Sequence, residues 1–253
     1  MESDKINKTM IRNEFNQKIT RLTRSSAYLD FCEEVYGYRM YLFNMMDKQQ
    51  LDFIINTIPI SPVDMLLDLG CGAGSVLNIL ITKYGCKGIG IDQLNNETVE
   101  RNSKEITYIN ADIDKLSQYD LKPSITLAID SLYFSSDLDM LVNQLKNIKN
   151  NRLYLFYSQY IFDQYIEDRS VLDCDKTRLA LTFEKNQISY KTVDYSENEF
   201  SLYENSLRVL PKYKNAFECE GNSDLYEAKL REDTCGREMY NKGLASRYLY
   251  IIE

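Results

Sequence analysis

Three alternating glycines, Gly70, Gly72 and Gly74, end a short apolar run in the sequence LLDLGCGAGS, which begins at Leu66. An apolar run that breaks into glycines indicates a buried strand that turns tightly into a helix. Glycine suits such a turn because its backbone bends sharply and lets a ligand approach closely. The segment therefore predicts a strand, a ligand-binding loop and a helix, in that order.

A carboxylate, Asp68, lies two residues before the first of these glycines. A dinucleotide site places a pyrophosphate over this kind of turn and holds it at the helix N-terminus. Asp68 would repel that anion and would favour a cationic group, such as the amino group of an amino acid. The dinucleotide fingerprint also needs a glycine at the position of Ser75. A nicotinamide or flavin oxidoreductase is therefore the less favoured alternative.

Further acidic residues end the predicted strands that follow. Asp92 ends the run GIGID, about one strand–helix–strand unit after Asp68, where such folds place the acid that binds a ribose diol. Asp112 follows the segment INA, and Asp130 ends the run ITLAID. Because parallel strands end at one edge of a sheet, we expect the four carboxylates to line one crevice.

This combination of glycine loop, Asp92, the Ala111-Asp112 pair and the strand ending at Asp130 resembles the class I S-adenosylmethionine-dependent methyltransferases. The resemblance covers roughly residues 47–160. It implies an α/β fold with a doubly wound, Rossmann-like, mostly parallel sheet of seven strands. It also implies N-terminal helices and a helical insertion before the last, antiparallel strand. The implied cofactor is S-adenosyl-L-methionine, and its product is S-adenosyl-L-homocysteine.

The resemblance also implies a role for individual residues. Asp68 helps to hold the amino group of the methionine part, Asp92 accepts from both ribose hydroxyls, and Asp112 accepts from the adenine amino group. Ile113 packs on the adenine ring. Cys71 is interpreted as a small loop residue rather than a nucleophile. The implied cofactor-binding residues are Asp68, Leu69, Gly70, Cys71, Gly72, Gly74, Asp92, Gln93, Ala111, Asp112, Ile113 and Asp130.

The acceptor side offers candidates rather than a catalytic motif. In this chemistry the cofactor carries the reactive group, and the protein chiefly orients the reactants and excludes water. The segment DSLYF that begins at Asp130 lacks the prolines of the Asn/Asp-Pro-Pro-Tyr/Phe motif. That motif occurs in family members that methylate amino groups of nucleobases or proteins, so its absence favours a small-molecule acceptor.

Candidate catalytic residues are Asp130 and Tyr133, with a helix cap as the alternative role of Asp130. Tyr133, Tyr157 and Tyr160 are candidates for lining an aromatic acceptor pocket, with ordinary core packing as the alternative. Arg39 and Arg247 offer cationic groups for a carboxylate, but for both we favour surface ion pairs.

Composition narrows the chemistry further. The 253 residues include no histidine, which excludes a Ser-His-Asp triad, a Cys-His dyad and histidine-ligated metal sites. Six scattered cysteines without a CxxC pair argue against a zinc site, and no metal is expected. The net charge of −8 argues against a nucleic-acid partner. With no membrane span and no secretory signal recognisable, we expect a cytoplasmic protein.

The order of predicted elements suggests one methyltransferase domain over residues 1–253. It would consist of N-terminal helices (1–60), a cofactor-binding core (61–160) and a C-terminal half (161–253) with a helical cap at about 197–243. The N-terminal helices and the cap would bracket the acceptor edge and close over a small molecule.

Predicted elements include helices at 26–37, near 47, and at 75–84, 96–104, 138–148 and 176–186, and strands at 153–157, 189–194 and 246–252.

Two alternative functions remain open at this point. One is an RNA or protein methyltransferase, and the other is a non-catalytic module that binds S-adenosylmethionine. The acceptor, the attacked atom (carbon, nitrogen or oxygen) and the oligomeric state also remain open.

Overall fold

The computed structural model of the chain describes residues 14, 16–94, 104–162 and 168–253. These residues form a seven-stranded sheet with the strand order β3-β2-β1-β4-β5-β7-β6. Only β7 runs antiparallel to its neighbours, β5 and β6, so the predicted fold class is confirmed. The strands are β1 Met65–Leu69, β2 Lys87–Asp92, β3 Ile106–Asn110, β4 Ile125–Ile129, β5 Arg152–Tyr160, β6 Lys191–Asp194 and β7 Ala245–Ile252.

Helices cover both faces of this sheet. The predicted helix at 96–104 lies almost wholly outside the described residues, and residues 16–22 form a further helical stretch. Short 3₁₀ turns occur at Ile113–Gln118, Leu132–Phe134, Ser170–Leu172 and Leu210–Tyr213. The α-helices are α1 Ser26–Tyr36, α2 Lys48–Asn56, α3 Ser75–Tyr84, α4 Leu138–Lys146, α5 Arg178–Lys185, α6 Ser196–Val209, α7 Lys214–Cys219 and α8 Ser223–Asn241.

Polar caps fix the helices before β1 where the sequence predicts them. The Ser25 hydroxyl accepts a hydrogen bond from the backbone N–H of Tyr28 at 3.0 Å, which satisfies a free donor at the start of α1. Gly37 ends α1 in the left-handed conformation with a φ of 75°. Asp47 caps α2 through the backbone N–H of Gln50 at 2.9 Å.

Two hydrophobic clusters sandwich the sheet. One lies against α1, α2, α3 and the helices that precede β7, and the other lies against α4 and α5. In β4, Leu127 packs into the first cluster and Ala128 into the second. A strand that is buried on both faces reads as a continuous apolar run, which explains the sequence ITLAI of this strand.

The helices α6, α7 and α8 form the predicted helical insertion between β6 and β7, and we call this insertion the cap. The N-terminal region packs onto this cap. The Glu220 carboxylate accepts hydrogen bonds from the Ser25 hydroxyl at 2.5 Å and from the backbone N–H of Ala27 at 2.9 Å. Arg21 forms an ion pair with Asp224 at 2.7 Å. Segments almost 200 residues apart in sequence therefore form one layer.

None of the helices in the described part of the chain has the length and apolar character needed to span a lipid bilayer.

Gly236 in α8 allows the closest approach of α8 to α6. A Cβ atom on Gly236 would lie 2.2 Å from Cζ of Tyr203, a separation that packed atoms do not tolerate. We therefore expect Gly236→Ala to lower the free energy of unfolding by about 1–3 kcal/mol, measured by urea denaturation. The control is Cys235→Ala at the exposed neighbouring position. Since alanine in place of an unpacked helical glycine stabilises by about 1 kcal/mol, a more stable Gly236→Ala variant would contradict the packing.

Candidate functional site

The glycine loop between β1 and α3 needs glycine on two grounds. Gly70, Gly72 and Gly74 have φ values of 74°, 53° and 76°, which other residues rarely adopt. A Cβ on Gly70 would lie 2.3 Å from Cβ of Ser131, and a Cβ on Gly74 would lie 2.3 Å from the Tyr108 hydroxyl oxygen. The loop is thus closely packed from beneath by the ends of β3 and β4.

Asp92 at the end of β2 binds the same loop. One carboxylate oxygen accepts the backbone N–H of Gly72 at 2.8 Å, and the other accepts the backbone N–H of Leu94 at 2.7 Å. Each carboxylate oxygen has a second lone pair, so an external hydroxyl can still donate to it. Asp92 therefore orders the loop and remains an acceptor for a diol.

Asp68 is a buried carboxylate without a counter-charge. Its exposed fraction is 3%, and no described residue donates a hydrogen bond to its carboxylate. Burial, and after it the nearby Asp92, raise the pKa of Asp68 to about 7. A cationic group bound here would restore the charged form, so the position suits an amino group.

The neighbouring thiol of Cys71 responds to the same surroundings. Burial raises its pKa well above the ordinary value, and Asp68 and Asp92 raise it further. Cys71 is therefore a neutral thiol and lacks the thiolate that a nucleophile requires.

The other predicted cofactor residues surround this loop. Ala111 donates its backbone N–H to the Asp92 carbonyl at 2.9 Å. Asp112 begins the following 3₁₀ turn by accepting from the N–H of Asp114 at 3.1 Å, and Ile113 is buried beneath it. The Gln93 carbonyl accepts from the Asn110 side chain at 3.3 Å. The ends of β1, β2 and β3 thus bring these residues to one edge.

Asp130 at the end of β4 corrects two of the sequence-based interpretations. Its carboxylate accepts from Arg247 Nη1 at 2.6 Å and Nη2 at 2.9 Å, and from the backbone N–H of Met45 at 2.8 Å. The following 3₁₀ turn starts at Ser131 without a side-chain cap. The helix-cap role is therefore wrong, and both carboxylate oxygens of Asp130 are already occupied by hydrogen bonds from Arg247 and Met45.

Arg247 does not form the expected surface ion pair, so that interpretation is wrong for this residue. Its side chain is fully buried, and Nε donates to Gln50 Oε1 at 2.7 Å while Nη1 donates to the Ser158 hydroxyl at 2.8 Å. Burial alone would lower the pKa of Arg247, but Asp130 and then Glu199 outweigh it and raise the pKa. Arg39, by contrast, forms the expected exposed pairs with acidic residues of α1.

Glu199 of the cap completes this buried cluster. The carboxylate is fully buried and lies 3.8 Å from Arg247 Nη1. Four hydroxyl groups donate to it, from Ser158 at 2.7 Å, Tyr160 at 2.5 Å, Tyr203 at 2.9 Å and Tyr240 at 2.6 Å. We call Asp130, Arg247 and Glu199 the ionic cluster. It joins β4, β7 and the cap at the carboxyl edge of the sheet.

The three predicted acceptor-side tyrosines lie beside the ionic cluster. The rings of Tyr133 and Tyr157 are 5.6 Å apart, and Tyr157 is buried against the core beside α4. Tyr160 is half-buried, with its hydroxyl on Glu199. Burial, followed by Asp130 for Tyr133 and by Glu199 for Tyr160, raises the pKa of both hydroxyls well above the ordinary value. Both are therefore neutral phenols.

Sequence reasoning missed Glu199 and three of its partners, Ser158, Tyr203 and Tyr240, and it named Tyr160 only as a candidate pocket residue. A usable signal exists, because Glu199 lies at helical spacing with Leu202, Tyr203 and Ser206, which form the buried face of α6. A carboxylate on such a face is rare unless it is paired. That pattern predicts a buried counter-charge, although it does not say which arginine supplies it.

The part of the chain that contains the glycine loop matches a known protein family. Residues 48–136, about a third of the chain, match the family model for the methionine biosynthesis protein MetW. Their span runs from α2 to the turn after β4 and so contains the glycine loop and Asp92. No curated protein sequence is significantly similar to the chain.

Solved structures match nearly the whole chain at low identity. A phosphoethanolamine N-methyltransferase 2 of Haemonchus contortus with bound S-adenosylhomocysteine matches with a TM-score of 0.72 and 12% identity, over 94% of this chain. This chain spans only 60% of that protein's length. The cyclopropane synthase MmaA2 of Mycobacterium tuberculosis matches with a TM-score of 0.68 and 12% identity, over 94% of this chain and 97% of that one.

A third structure, a methyltransferase of Geobacter sulfurreducens with S-adenosylhomocysteine, matches with a TM-score of 0.59 and 13% identity, over 88% of this chain and 97% of that one. Together with the strand order, these likenesses decide the fold. The chain has the class I S-adenosylmethionine-dependent methyltransferase fold. In the methyltransferase fold, the described glycine loop occupies the first strand-to-helix turn of the sheet.

The raised pKa of Asp68 makes a prediction about stability. A carboxyl group whose pKa rises on folding destabilises the folded state progressively as the pH rises from its unfolded value through its folded value. With a folded pKa of about 7, the stability gain of Asp68→Asn over the wild type should grow by about 1 kcal/mol between pH 6 and pH 8. Thermal denaturation at both pH values measures it.

The control for this experiment is Asp120→Asn, since Asp120 is an exposed carboxylate paired with a lysine. We expect its effect on stability to be small at both pH values. Equal stability changes at pH 6 and pH 8 for Asp68→Asn would contradict the burial of an unpaired carboxylate.

Proposed function

We propose that this protein is an S-adenosylmethionine-dependent methyltransferase that transfers a methyl group to a small-molecule acceptor by in-line displacement. The observation that carries the proposal is the pair of carboxylates at the glycine loop. Asp92 orders the loop through Gly72 and keeps free lone pairs, and Asp68 lies beside it without a counter-charge. These two hydrogen-bond acceptors suit a ligand with a diol and an amino group and repel a pyrophosphate.

The residues present fit the proposed cofactor. The three glycines give the loop its left-handed turns, and Asp92 would accept hydrogen bonds from the ribose hydroxyls. Asp68 would face the amino group, Asp112 the adenine amino group, and Ile113 the adenine ring. When bound, the cofactor supplies an electrophilic methyl group on a sulfonium. The chain itself orients the reactants and, with the helical cap above the edge, excludes water.

Charge and comparison support a small acceptor. The net charge of −8 gives no support to an RNA methyltransferase. A cleft of about 600 Å³ between α4 and α5 is lined by no residue of the glycine loop, the ionic cluster or the three acceptor-side tyrosines, so we do not assign the acceptor to it. One matching structure carries a small amino compound, phosphomonomethylethanolamine, in its complex.

Calorimetry with Asp92→Ala tests the proposal. We expect wild-type protein to bind S-adenosylmethionine and S-adenosylhomocysteine, and Asp92→Ala to weaken both by about 10- to 100-fold, because hydrogen bonds to a carboxylate are lost. The matched control is Asp120→Ala, which removes an exposed carboxylate far from the loop in sequence. Circular dichroism confirms that the variants remain folded. Binding of NADH with no binding of the adenosyl ligands would overturn the proposal.

A non-catalytic binding module is a second candidate function. It would bind both ligands with the same dependence on Asp92 but would release no S-adenosylhomocysteine with any acceptor. Turnover in a screen of small acceptors distinguishes the two.

A further inference from the structure

The ionic cluster carries a net negative charge at the acceptor edge. Asp130 and Glu199 contribute two carboxylates, and Arg247 contributes one guanidinium. Four hydroxyl groups donate hydrogen bonds to the two carboxylate oxygens of Glu199. All three side chains are at least nine-tenths buried, so water screens this charge weakly.

Contacts connect the ionic cluster directly to the glycine loop. Ser131, the residue after Asp130, donates its hydroxyl to the Leu69 carbonyl at 2.5 Å and packs against Gly70. The negative charge therefore lies one residue from the loop that holds the proposed cofactor. On the other side, the hydroxyl of the half-buried Tyr160 contacts Glu199, so the charge also reaches the aromatic surface.

Aromatic rings cover this side of the cluster. Tyr133 contacts Tyr157 at 5.6 Å between ring centroids, and Tyr160 stacks on the exposed ring of Phe162 at 5.9 Å. The faces of such rings carry negative potential and attract cations. The rings and the net negative charge of the cluster therefore both favour a positively charged ligand.

Within the ionic cluster and the tyrosines beside it, no described group is free to act as a general base for a hydroxyl acceptor. A hydroxyl acceptor must lose its proton, yet Asp130 is held by Arg247 and Glu199 is fully buried. The tyrosines remain neutral, and the chain has no histidine. Asp68 lies across the glycine loop, where the proposed function places the amino group of the cofactor. A carbanion acceptor would be repelled by the cluster.

An amine suits both the negative, ring-lined surface and the lack of a free base. In its unprotonated form it has a lone pair that can attack without help from a protein base. We propose that the acceptor is an amine and that the ionic cluster, with the rings of Tyr133 and Tyr160, stabilises the positive charge that arises on its nitrogen. This inference rests on the proposed methyltransferase function. The amine first gives up any ammonium proton to water.

The transfer step then balances without a base from the protein. The nitrogen lone pair forms the bond to the methyl carbon as the bond from that carbon to sulfur breaks, and its electron pair passes to sulfur. Positive charge thereby moves from sulfur to nitrogen, towards the ionic cluster. A primary or secondary amine finally releases a proton to water.

A pair of isosteric probes tests the inference by binding rather than turnover. Choline has the cationic head of a methylated amine product, and 3,3-dimethylbutanol is its uncharged carbon isostere. With wild-type protein saturated by S-adenosylhomocysteine, we expect calorimetry to show at least about tenfold tighter binding of choline. Equal binding of the two probes, or no binding of choline, would overturn the inference.

Glu199→Gln assigns the preference to the ionic cluster. The substitution keeps the shape of the side chain and removes the excess negative charge, so choline affinity should fall about tenfold while the affinity for S-adenosylhomocysteine is unchanged. The control is Glu204→Gln, at an exposed position of the same helix. Unchanged choline affinity in a folded Glu199→Gln variant would overturn the inference.

The two proposals fail in different ways. If wild-type protein does not bind S-adenosylhomocysteine, the proposed function itself is wrong. If it binds S-adenosylhomocysteine but shows no preference for choline over the isostere, only the amine inference is wrong. The wild-type comparison also stands if Glu199→Gln does not fold.

Discussion

A single buried guanidinium holds together parts of the molecule that are far apart in sequence. Arg247 in β7 binds Asp130 of β4 with two hydrogen bonds and also contacts Gln50 of α2 and Ser158 of β5. Removal of one partner from a buried ion pair leaves an uncompensated charge, which costs about 3–5 kcal/mol. Arg247 therefore links the edge of the sheet, the start of the cap and α2 through one side chain.

The two sides of the site have opposite electrostatic designs. At the ionic cluster each carboxylate is satisfied by several donors, so the geometry is fixed before any ligand arrives. At the glycine loop Asp68 is buried, and no described residue donates a hydrogen bond to its carboxylate. A cationic group of a ligand could neutralise it. A protein keeps such an unpaired group at a cost in stability, and such costs concentrate where a ligand later supplies the partner.

Local patterns predicted the alternation of helices and strands, whereas the antiparallel last strand was implied by the family resemblance. The ends of α1 and the start of α2 are set by short-range hydrogen bonds at Ser25, Gly37 and Asp47. The run ITLAI is apolar because its strand is buried on both faces. The ion pair of Arg247 could not be predicted in the same way. Its partner lies 117 residues earlier, and no short-range rule links an arginine in an alternating strand to an aspartate at a strand end. The same holds for Glu199, whose burial is visible in its helical spacing but whose partners are not.

The placement of Arg247 also affects the order in which the chain can assemble. During synthesis Asp130 and Glu199 emerge before the residue that neutralises them. Until β7 arrives, β5 has an open edge, and burial of either carboxylate is opposed by the loss of its hydration. Contacts of such long sequence separation form slowly because the chain entropy of closing the loop must be overcome first. The ionic cluster at the carboxyl edge of the sheet is therefore incomplete until β7 is in place.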